Sequence, residues 1–158
     1  MPSDFSNSGV SVIYNGEVHI LGPNNGTGHY KLTNNGWTSV STLPMAIGAY
    51  EYFEDPFEGD YECYTCGSAV VLNDKIHLLY HNKHYTWDPT NGWSLLSNSA
   101  PLYANGNVIS FNDEIHILGY WYFTGGMLGP DPNGDHHVYS NGQWSMVDPG
   151  TYQDETYR

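Results

Sequence analysis

Positively charged residues are scarce in this sequence, and that scarcity excludes a class of partners. Of its 158 residues, 17 are Asp or Glu and only 4 are Lys or Arg, which gives a formal net charge of −13. A surface this acidic is repelled by phosphate backbones and by anionic lipids, so nucleic-acid binding loses the electrostatic attraction that supplies much of its affinity. We therefore expect neither a nucleic acid nor a membrane among the partners.

Long apolar segments and a basic leader are also missing. No apolar run approaches the roughly 20 residues that a membrane-spanning helix needs. The first residues, Met1-Pro2-Ser3-Asp4, lack the basic and apolar regions of a secretory signal peptide. These features predict a protein that is synthesised in the cytoplasm without a signal peptide.

Cysteine is limited to Cys63 and Cys66, which form a single Cys-x-x-Cys pair. A structural zinc site needs four ligands, and a redox motif is expected at the start of a helix, which this segment does not offer. Free thiols or a local disulfide are therefore the favoured interpretation. A metal site completed by His81 or His84 is the alternative.

The sequence does contain an eight-residue segment, here called the repeated segment, that occurs three times. The copies are YNGEVHIL at 14–21, LNDKIHLL at 72–79 and FNDEIHIL at 111–118, and each is followed by a Trp, at Trp37, Trp93 and Trp144. Structural repeats of roughly 40 to 50 residues stack on one another rather than fold alone. The chain is therefore predicted to be a repeat protein.

Each repeat is predicted to contain four antiparallel strands. An apolar run leads into each repeated segment, and an Asn-Gly or Asn-Asp pair separates it from a second apolar run. Because Asn, Asp and Gly tolerate the positive φ angles of two-residue hairpin turns, this pattern predicts a strand, a turn and a second strand. Third strands, which carry Tyr30, Tyr85 and Tyr139, are expected at 28–33, 83–88 and 136–140, and fourth strands at 37–41, 93–97 and 144–148. Such four-stranded units are typical of β-propeller blades, and no segment sustains a helical period, so the predicted class is all-β.

These elements resemble the Kelch-repeat family over about residues 8–148. The glycine pair that Kelch repeats usually carry after the second strand is missing, because Gly22-Pro23, Tyr80-His81 and Gly119-Tyr120 stand there. The amino-acid sequence at 15–22 and at 39–44 is similar to Kelch-like segments in structural and tail-appendage proteins of bacteriophages. The resemblance implies a β-propeller fold, and it transfers no catalytic or ligand-binding residue.

The resemblance implies a single domain of three blades, at about 8–44, 66–101 and 105–148, with an insert at about 48–65 and a tail at 149–158. A closed propeller typically has four to eight blades, so an arc of three leaves two blade faces without a neighbour. There are three alternatives for these two faces. Two chains could form a six-bladed ring, the faces could dock on another protein, or the arc could remain open with polar outer faces. We expect a partial propeller that is completed by oligomerisation or docking, because the outer strands carry no run of charges.

Three histidines and three tryptophans recur at equivalent positions. His19, His77 and His116 would meet at one metal only if they faced the narrow central channel, so we interpret each as half-buried and hydrogen-bonded within its own blade. One tryptophan follows each copy of the repeated segment, at an equivalent position, and the three are predicted to be core residues.

Two acidic segments are candidate cation sites. The insert is rich in carboxylates and aromatic residues, and Asp131, Asn133 and Asp135 match part of a calcium-binding loop. The second segment lacks the Glu at the twelfth position, and a solvated turn is the favoured alternative. A bound calcium would order a loop rather than take part in chemistry.

Four consecutive aromatic residues, Tyr120, Trp121, Tyr122 and Phe123, stand beside a glycine-rich segment in the third repeat. Four neighbours cannot all point to one sheet face, so we expect one or two to reach the surface and to bind a partner protein or a glycan. Packing against the neighbouring blade is the alternative.

No short motif of nucleophilic, zinc-protease or phosphate-binding chemistry occurs, and the single Arg158 cannot form the arginine cluster of six-bladed sialidases. We therefore predict a non-catalytic bacteriophage virion protein, from a tail appendage or head fibre, that binds other virion proteins or its own copies and that contacts a host cell-wall glycan. A carbohydrate-binding or carbohydrate-active propeller and an intracellular Kelch adaptor are the alternatives.

Overall fold

The computed structural model describes residues 9–23, 25–47, 50–53, 61–64, 67–80, 82–96, 100–101, 107–118, 121–124, 127–130 and 136–148. For 50–53, 61–64, 121–124, 127–130 and residue 148 it describes the backbone alone. The regular structure in these ranges consists of sixteen strands, which confirms the predicted all-β class. No helix in this part of the chain is long and apolar enough to cross a membrane.

The strands form three four-stranded antiparallel sheets and two hairpins. The first sheet contains β1 (Val10–Tyr14), β2 (Glu17–Leu21), β3 (Gly28–Thr33) and β4 (Gly36–Thr42). A hairpin of β5 (Tyr50–Phe53) and β6 (Tyr61–Tyr64) follows, and then the second sheet with β7 (Ser68–Leu72), β8 (Lys75–Tyr80), β9 (Lys83–Asp88) and β10 (Gly92–Leu95). The third sheet contains β11 (Asn107–Phe111) and β12 (Glu114–Leu118), then, after the hairpin of β13 (Trp121–Thr124) and β14 (Met127–Pro130), β15 (His136–Ser140) and β16 (Gln143–Asp148).

Each copy of the repeated segment takes part in the hairpin that the sequence predicts. Asn15 and Gly16, at φ angles of 50° and 77°, turn β1 into β2. The pairs Asn73-Asp74 and Asn112-Asp113 also have positive φ angles and join the corresponding strands of the other two sheets. This geometry matches the twist of the flanking strands, and these residue types tolerate it. The local sequence therefore specifies the first hairpin of each sheet.

The three sheets stack side by side, with the second sheet in the middle. Alternate side chains of the first strands are buried between neighbouring sheets, as their two-residue periodicity requires. The core between the first and second sheets comprises Tyr14, Leu21, Leu43, Ile47, Ile76, Leu78, Tyr80, Tyr85 and Trp87. The core between the second and third sheets comprises Val70, Leu72, Leu79, Ala100, Ile115 and Ile117.

Each of the two outer sheets therefore has one face turned towards the second sheet and one turned away from it. We call the latter the first outer face, on the first sheet, and the third outer face, on the third sheet. Ile13 on β1 belongs to the first outer face, since its neighbours Val12 and Tyr14 pack towards the second sheet. Phe111 on β11 belongs to the third outer face, since Val108, three residues earlier, packs against the core beside the second sheet.

The tyrosines of the three third strands do not all occupy the same register position. Tyr30 and Tyr85 do share one register position, because they lie opposite Ile20 and Leu78. Tyr139 instead lies opposite Ile115, which is the position of Trp87 in the second sheet. Each third strand carries a Tyr as predicted, but residue type alone does not give the strand pairing.

The predicted core position of the three tryptophans is only partly correct. Trp93 and Trp144 are half-buried and pack against the two cores between sheets. Trp37 is also half-buried, but it stands in register with Leu32 on the first outer face. Among the described residues, no sheet covers Trp37 as the neighbouring sheets cover its two counterparts.

The two insertions form hairpins rather than irregular loops. Residues Tyr50–Phe53 pair with Tyr61–Tyr64, within the acidic insert for which the sequence predicts no strand. Residues Trp121–Thr124 pair with Met127–Pro130 in the same antiparallel way. The Gly125-Gly126 dipeptide between the latter strands is a typical signal for a two-residue hairpin.

Candidate functional site: histidine pairs and outer sheet faces

A pair of hydrogen-bonded histidines lies in each four-stranded sheet. The Nδ1–Nε2 distance is 2.8 Å between His19 and His29. It is 2.7 Å in the second sheet and 3.0 Å in the third, where the pairs are His77–His84 and His116–His136. The prediction that each repeated histidine is hydrogen-bonded within its own repeat is confirmed. The prediction that each is half-buried is correct for His116 but wrong for His19 and His77, which are buried because the neighbouring sheet covers them.

Sequence reasoning missed the second member of each pair. His29, His84 and His136 lie on the third strand of their sheets, each opposite a Leu of the second strand. The first and second members of a pair are therefore diagonal neighbours across two strands, a spacing that permits side-chain contact. The detectable signal was a histidine near the start of all three predicted third strands.

The hydrogen-bond partners fix the tautomers of the second pair. Nε2 of His77 lies 3.2 Å from the carbonyl oxygen of Leu72, so this nitrogen donates. Nδ1 of the same neutral ring must then accept a hydrogen bond from Nε2 of His84. Nδ1 of His84 is left as a buried acceptor without a hydrogen-bond partner. The orphan atom is thus an acceptor rather than a buried N–H group.

Burial keeps these imidazoles uncharged. Desolvation, with a smaller effect of His19, lowers the pKa of His29 to about 3. Desolvation likewise lowers the pKa of His84 to about 3 and that of His77 to about 4. The pKa of His19 is lowered by the same cause, against the opposing effect of the Glu17 carboxylate. These four rings are neutral at pH 7.

The pairs have the geometry of hydrogen bonds rather than of metal ligands. Two imidazole nitrogens bound to a tetrahedral zinc ion at about 2.0–2.1 Å would be separated by about 3.3 Å. Within the described ranges, no group of three or more His, Cys, Asp or Glu is placed to hold a metal. His84, a candidate ligand beside the cysteines, is hydrogen-bonded to His77. Only the backbone of Cys63 is described, and Cys66 and His81 lie outside the described residues.

The histidine pair of the first sheet packs against two tryptophans of the second. The ring of His29 lies 4.8 Å from Trp87 and 5.6 Å from Trp93, between centroids. The indole N–H of Trp93 donates to Oγ of Ser41, which lies 2.9 Å from Nδ1 of His29. Tyr14 adds a T-shaped contact with Trp87 at 5.5 Å.

The same arrangement joins the second sheet to the third. The ring of His84 lies 4.6 Å from Tyr139 and 5.6 Å from Trp144. His77 of the same pair lies 6.2 Å from Tyr139. A histidine pair on one sheet and two aromatic rings on the next therefore form both interfaces between sheets.

The third pair lies on the third outer face, where the described residues place no further sheet. Exposed apolar side chains surround it, with exposures of 46% for Ile109, 62% for Phe111 and 41% for Leu118. The first outer face also exposes apolar side chains, with 68% for Ile13, 37% for Val18 and 43% for Leu32. Apolar surface of this kind on a sheet face indicates a contact with another molecule.

A cleft with a volume of about 580 Å³ lies between the second and third sheets. Its titratable side chains include Lys75 and His77. The amine of Lys75 lies 3.6 Å from a carboxylate oxygen of Asp88, and His77 is held by its pair. Both groups thus have structural partners.

The predicted site residues are described only in part. Trp121, Tyr122 and Phe123 belong to β13, whose side chains are outside the described structure, as is the whole of Tyr120. Asp131, Asn133 and Asp135 also lie outside the described residues. The structure describes the side chains of the histidine pairs and of the exposed apolar residues on the outer faces.

No protein-family model matches the chain, and no curated protein matches its sequence.

Proposed function

We propose that this protein is a non-catalytic structural protein of a bacteriophage particle, from a tail appendage or head fibre. Its three sheets act as blades of a partial β-propeller of the Kelch type, which oligomerisation or docking completes. The outer faces make the assembly contacts, and the β13–β14 hairpin, with its aromatic residues, contacts a glycan of the host cell wall. Assembly occurs in the virion after synthesis in the cytoplasm.

One observation carries this proposal: the two outer faces, which no other sheet covers in the part of the chain that the structure describes, expose apolar side chains. Ile13 and Phe111 are each more than half exposed, whereas Tyr14, next to Ile13, is buried against the second sheet. Burying such side chains stabilises an association by roughly 25 cal/mol for each Å² removed from water. A role in protein assembly follows from this exposed surface.

The polar chemistry of the described residues supports a non-catalytic role. The buried imidazoles are neutral, hydrogen-bonded to each other and covered by aromatic rings, as in the His29 contacts with Trp87 and Trp93. A general base must reach a proton of a bound substrate. Rings enclosed between two sheets are better suited to holding the sheets together.

Mass spectrometry of purified phage particles tests the virion assignment. We expect the chain in salt-washed particles at a fixed ratio to the major structural proteins. Recovery only from the soluble fraction of the lysate would overturn the assignment.

A glycan array tests host recognition separately. We expect the wild-type protein to bind a cell-wall glycan and the Trp121→Ala variant to lose that binding while keeping its mass in solution. An array without binding, or a variant that binds equally well, removes glycan recognition by this hairpin and leaves the assembly role in place.

A further inference from the structure

We propose that the third outer face of one chain docks on the first outer face of a second copy, so that two chains close a ring of six sheets. The inference rests on the proposed assembly function and names the partner. It derives from the equivalence of the repeats, because both faces carry the side-chain types that already form the two interfaces inside the chain.

The third outer face matches the histidine-bearing sides of those interfaces. Phe111 pairs with the first residue of β12 as Tyr14 pairs with the first residue of β2. Phe111 lies 6.3 Å from His116, and Tyr14 lies 5.6 Å from His19, between ring centroids. Tyr14 is covered by Trp87 of the next sheet, whereas Phe111 is exposed.

The first outer face matches the aromatic-bearing sides. The tryptophan of the fourth strand lies opposite Trp87 in the second sheet and opposite Tyr139 in the third. In the first sheet, Trp37 lies opposite Leu32. Leu32 and Trp37 therefore occupy the two positions that contact a histidine pair in both internal interfaces.

The buried neighbours extend this match. Val18 is the second residue of β2, as Ile76 is of β8 and Ile115 is of β12. Ile76 and Ile115 have no exposed surface, whereas Val18 is partly exposed. A histidine-bearing face packed on the first outer face would cover Val18 as its counterparts are covered.

The low charge of the first outer face is compatible with a copy of the same chain as the occupant. A protein with a net charge of −13 repels its own copies unless their contact surface carries few charges. The first outer face carries no charged residue at its register positions, which are Ser11, Ile13, Val18, Ile20, Tyr30, Leu32, Trp37 and Ser39. The third outer face carries Glu114 and Asp148 at its register positions, opposite Phe111 and His136. The carboxylate of Glu114 lies 3.6 Å from the buried Nε2 of His116, and Glu114 is the first residue of its strand, as are Glu17 and Lys75 on the histidine-bearing sides of the internal interfaces.

The number of copies follows from the propeller geometry. Docking the third outer face on the first is a contact between unlike faces, which forms a ring if the rotation closes and a filament if it does not. Each added copy contributes three sheets, and propellers typically have four to eight. Two copies, with six sheets, fit this range, whereas three copies exceed it.

Light scattering and native mass spectrometry of the wild-type chain measure the assembly directly. We expect a species of twice the single-chain mass of 17.7 kDa. A single-chain mass at all accessible concentrations would overturn the ring, as would an open-ended filament. Neither result would affect the virion assignment, which the particle analysis tests independently.

A pair of charge variants distinguishes docking of unlike faces from docking of like faces. Phe111→Asp and Leu32→Lys each place an unpaired charge in the proposed contact, so each variant alone should associate at least about a hundredfold more weakly. Mixing them should restore a two-chain species, because one interface is then unmodified and the other pairs the two opposite charges. Association of either variant alone at wild-type strength, or failure of the mixture, would overturn the proposal.

Matched substitutions keep the result interpretable. Phe111→Tyr introduces the residue type of Tyr14 and should preserve association. Leu32→Trp introduces the residue type of Trp87 and should strengthen it by about tenfold. Circular dichroism checks that each variant is folded, and since Leu32 and Phe111 are exposed in the single chain, unchanged spectra are expected.

Discussion

Lowering the pH from 7.5 to 5 should destabilise the chain through its buried histidine pairs. An unfolded histidine has a pKa near 6.5 and takes up a proton over this range. His29, His77 and His84, whose pKa values are lowered to about 3, 4 and 3, remain uncharged in the folded state. The unfolded state therefore binds more protons, and the free energy of unfolding falls as the pH drops below 6.5 and continues to fall towards pH 4.

The magnitude follows from the same linkage. For one histidine that is protonated only when unfolded, the loss of stability between pH 7.5 and pH 5 is roughly 2 kcal/mol. Three such histidines give a loss of roughly 6 kcal/mol, comparable to the whole stability of many domains. The charged neighbours are Glu17 and Lys31 beside His19, and Lys75 beside His77. A comparison of variants separates the contribution of one ring from that of the other titratable groups.

His84→Gln isolates the effect, since the Gln amide can still donate to Nδ1 of His77. Urea unfolding of the variant and of the wild type at pH 7.5 and pH 5 gives the four free energies required. We expect the loss on acidification to be smaller in the variant by roughly 2 kcal/mol. His137→Gln removes a histidine outside the pairs and serves as the control. A His84→Gln protein that loses as much stability as the wild type would refute the buried, neutral state of this ring.

Two further predictions concern packing and are checked by urea unfolding. Gly26 and Gly16 both have φ near 80°, but an added Cβ would clash with the carbonyl oxygen of Ile47 at Gly26 and would meet nothing within 4 Å at Gly16. Gly16→Ala should cost about 1–2 kcal/mol and Gly26→Ala clearly more, so equal costs would contradict the close approach. Trp87→Leu should cost about 2 kcal/mol or more by removing the ring contact with His29, and a cost below about 0.5 kcal/mol would show that this contact contributes little.

The strands and turns were predictable because local chemistry determines them. The third strands Gly28–Thr33, Lys83–Asp88 and His136–Ser140 have the bounds expected from the sequence. The turns succeed for the same reason, since Asn15 and Gly16 adopt the positive φ angles that their types favour. Elements of this kind need only their own residues to be recognised.

The histidine pairs were not predictable in the same way, because they depend on strand register. His19 and His29 are ten residues apart, and the intervening loop length hides their relation. A β-bulge beside His29 further shifts Ser41 into position opposite it. The exposure of Trp37 likewise depends on which sheet lies next to it, which no local pattern records.

The polar pairs have a structural use that apolar residues would not provide. Shifting β3 by one residue along β2 would turn His29 to the opposite face and leave the buried His19 without its hydrogen bond, at a cost of about 1–3 kcal/mol. An apolar pair would tolerate the same shift at a smaller cost. All three sheets carry the pair at the same register, however, so the pair alone cannot distinguish β3 from β9 as the partner of β2. That choice must come from the short connection between β2 and β3, where Gly28 donates its N–H to the carbonyl oxygen of Pro23. Register and strand identity are thus specified by different residues.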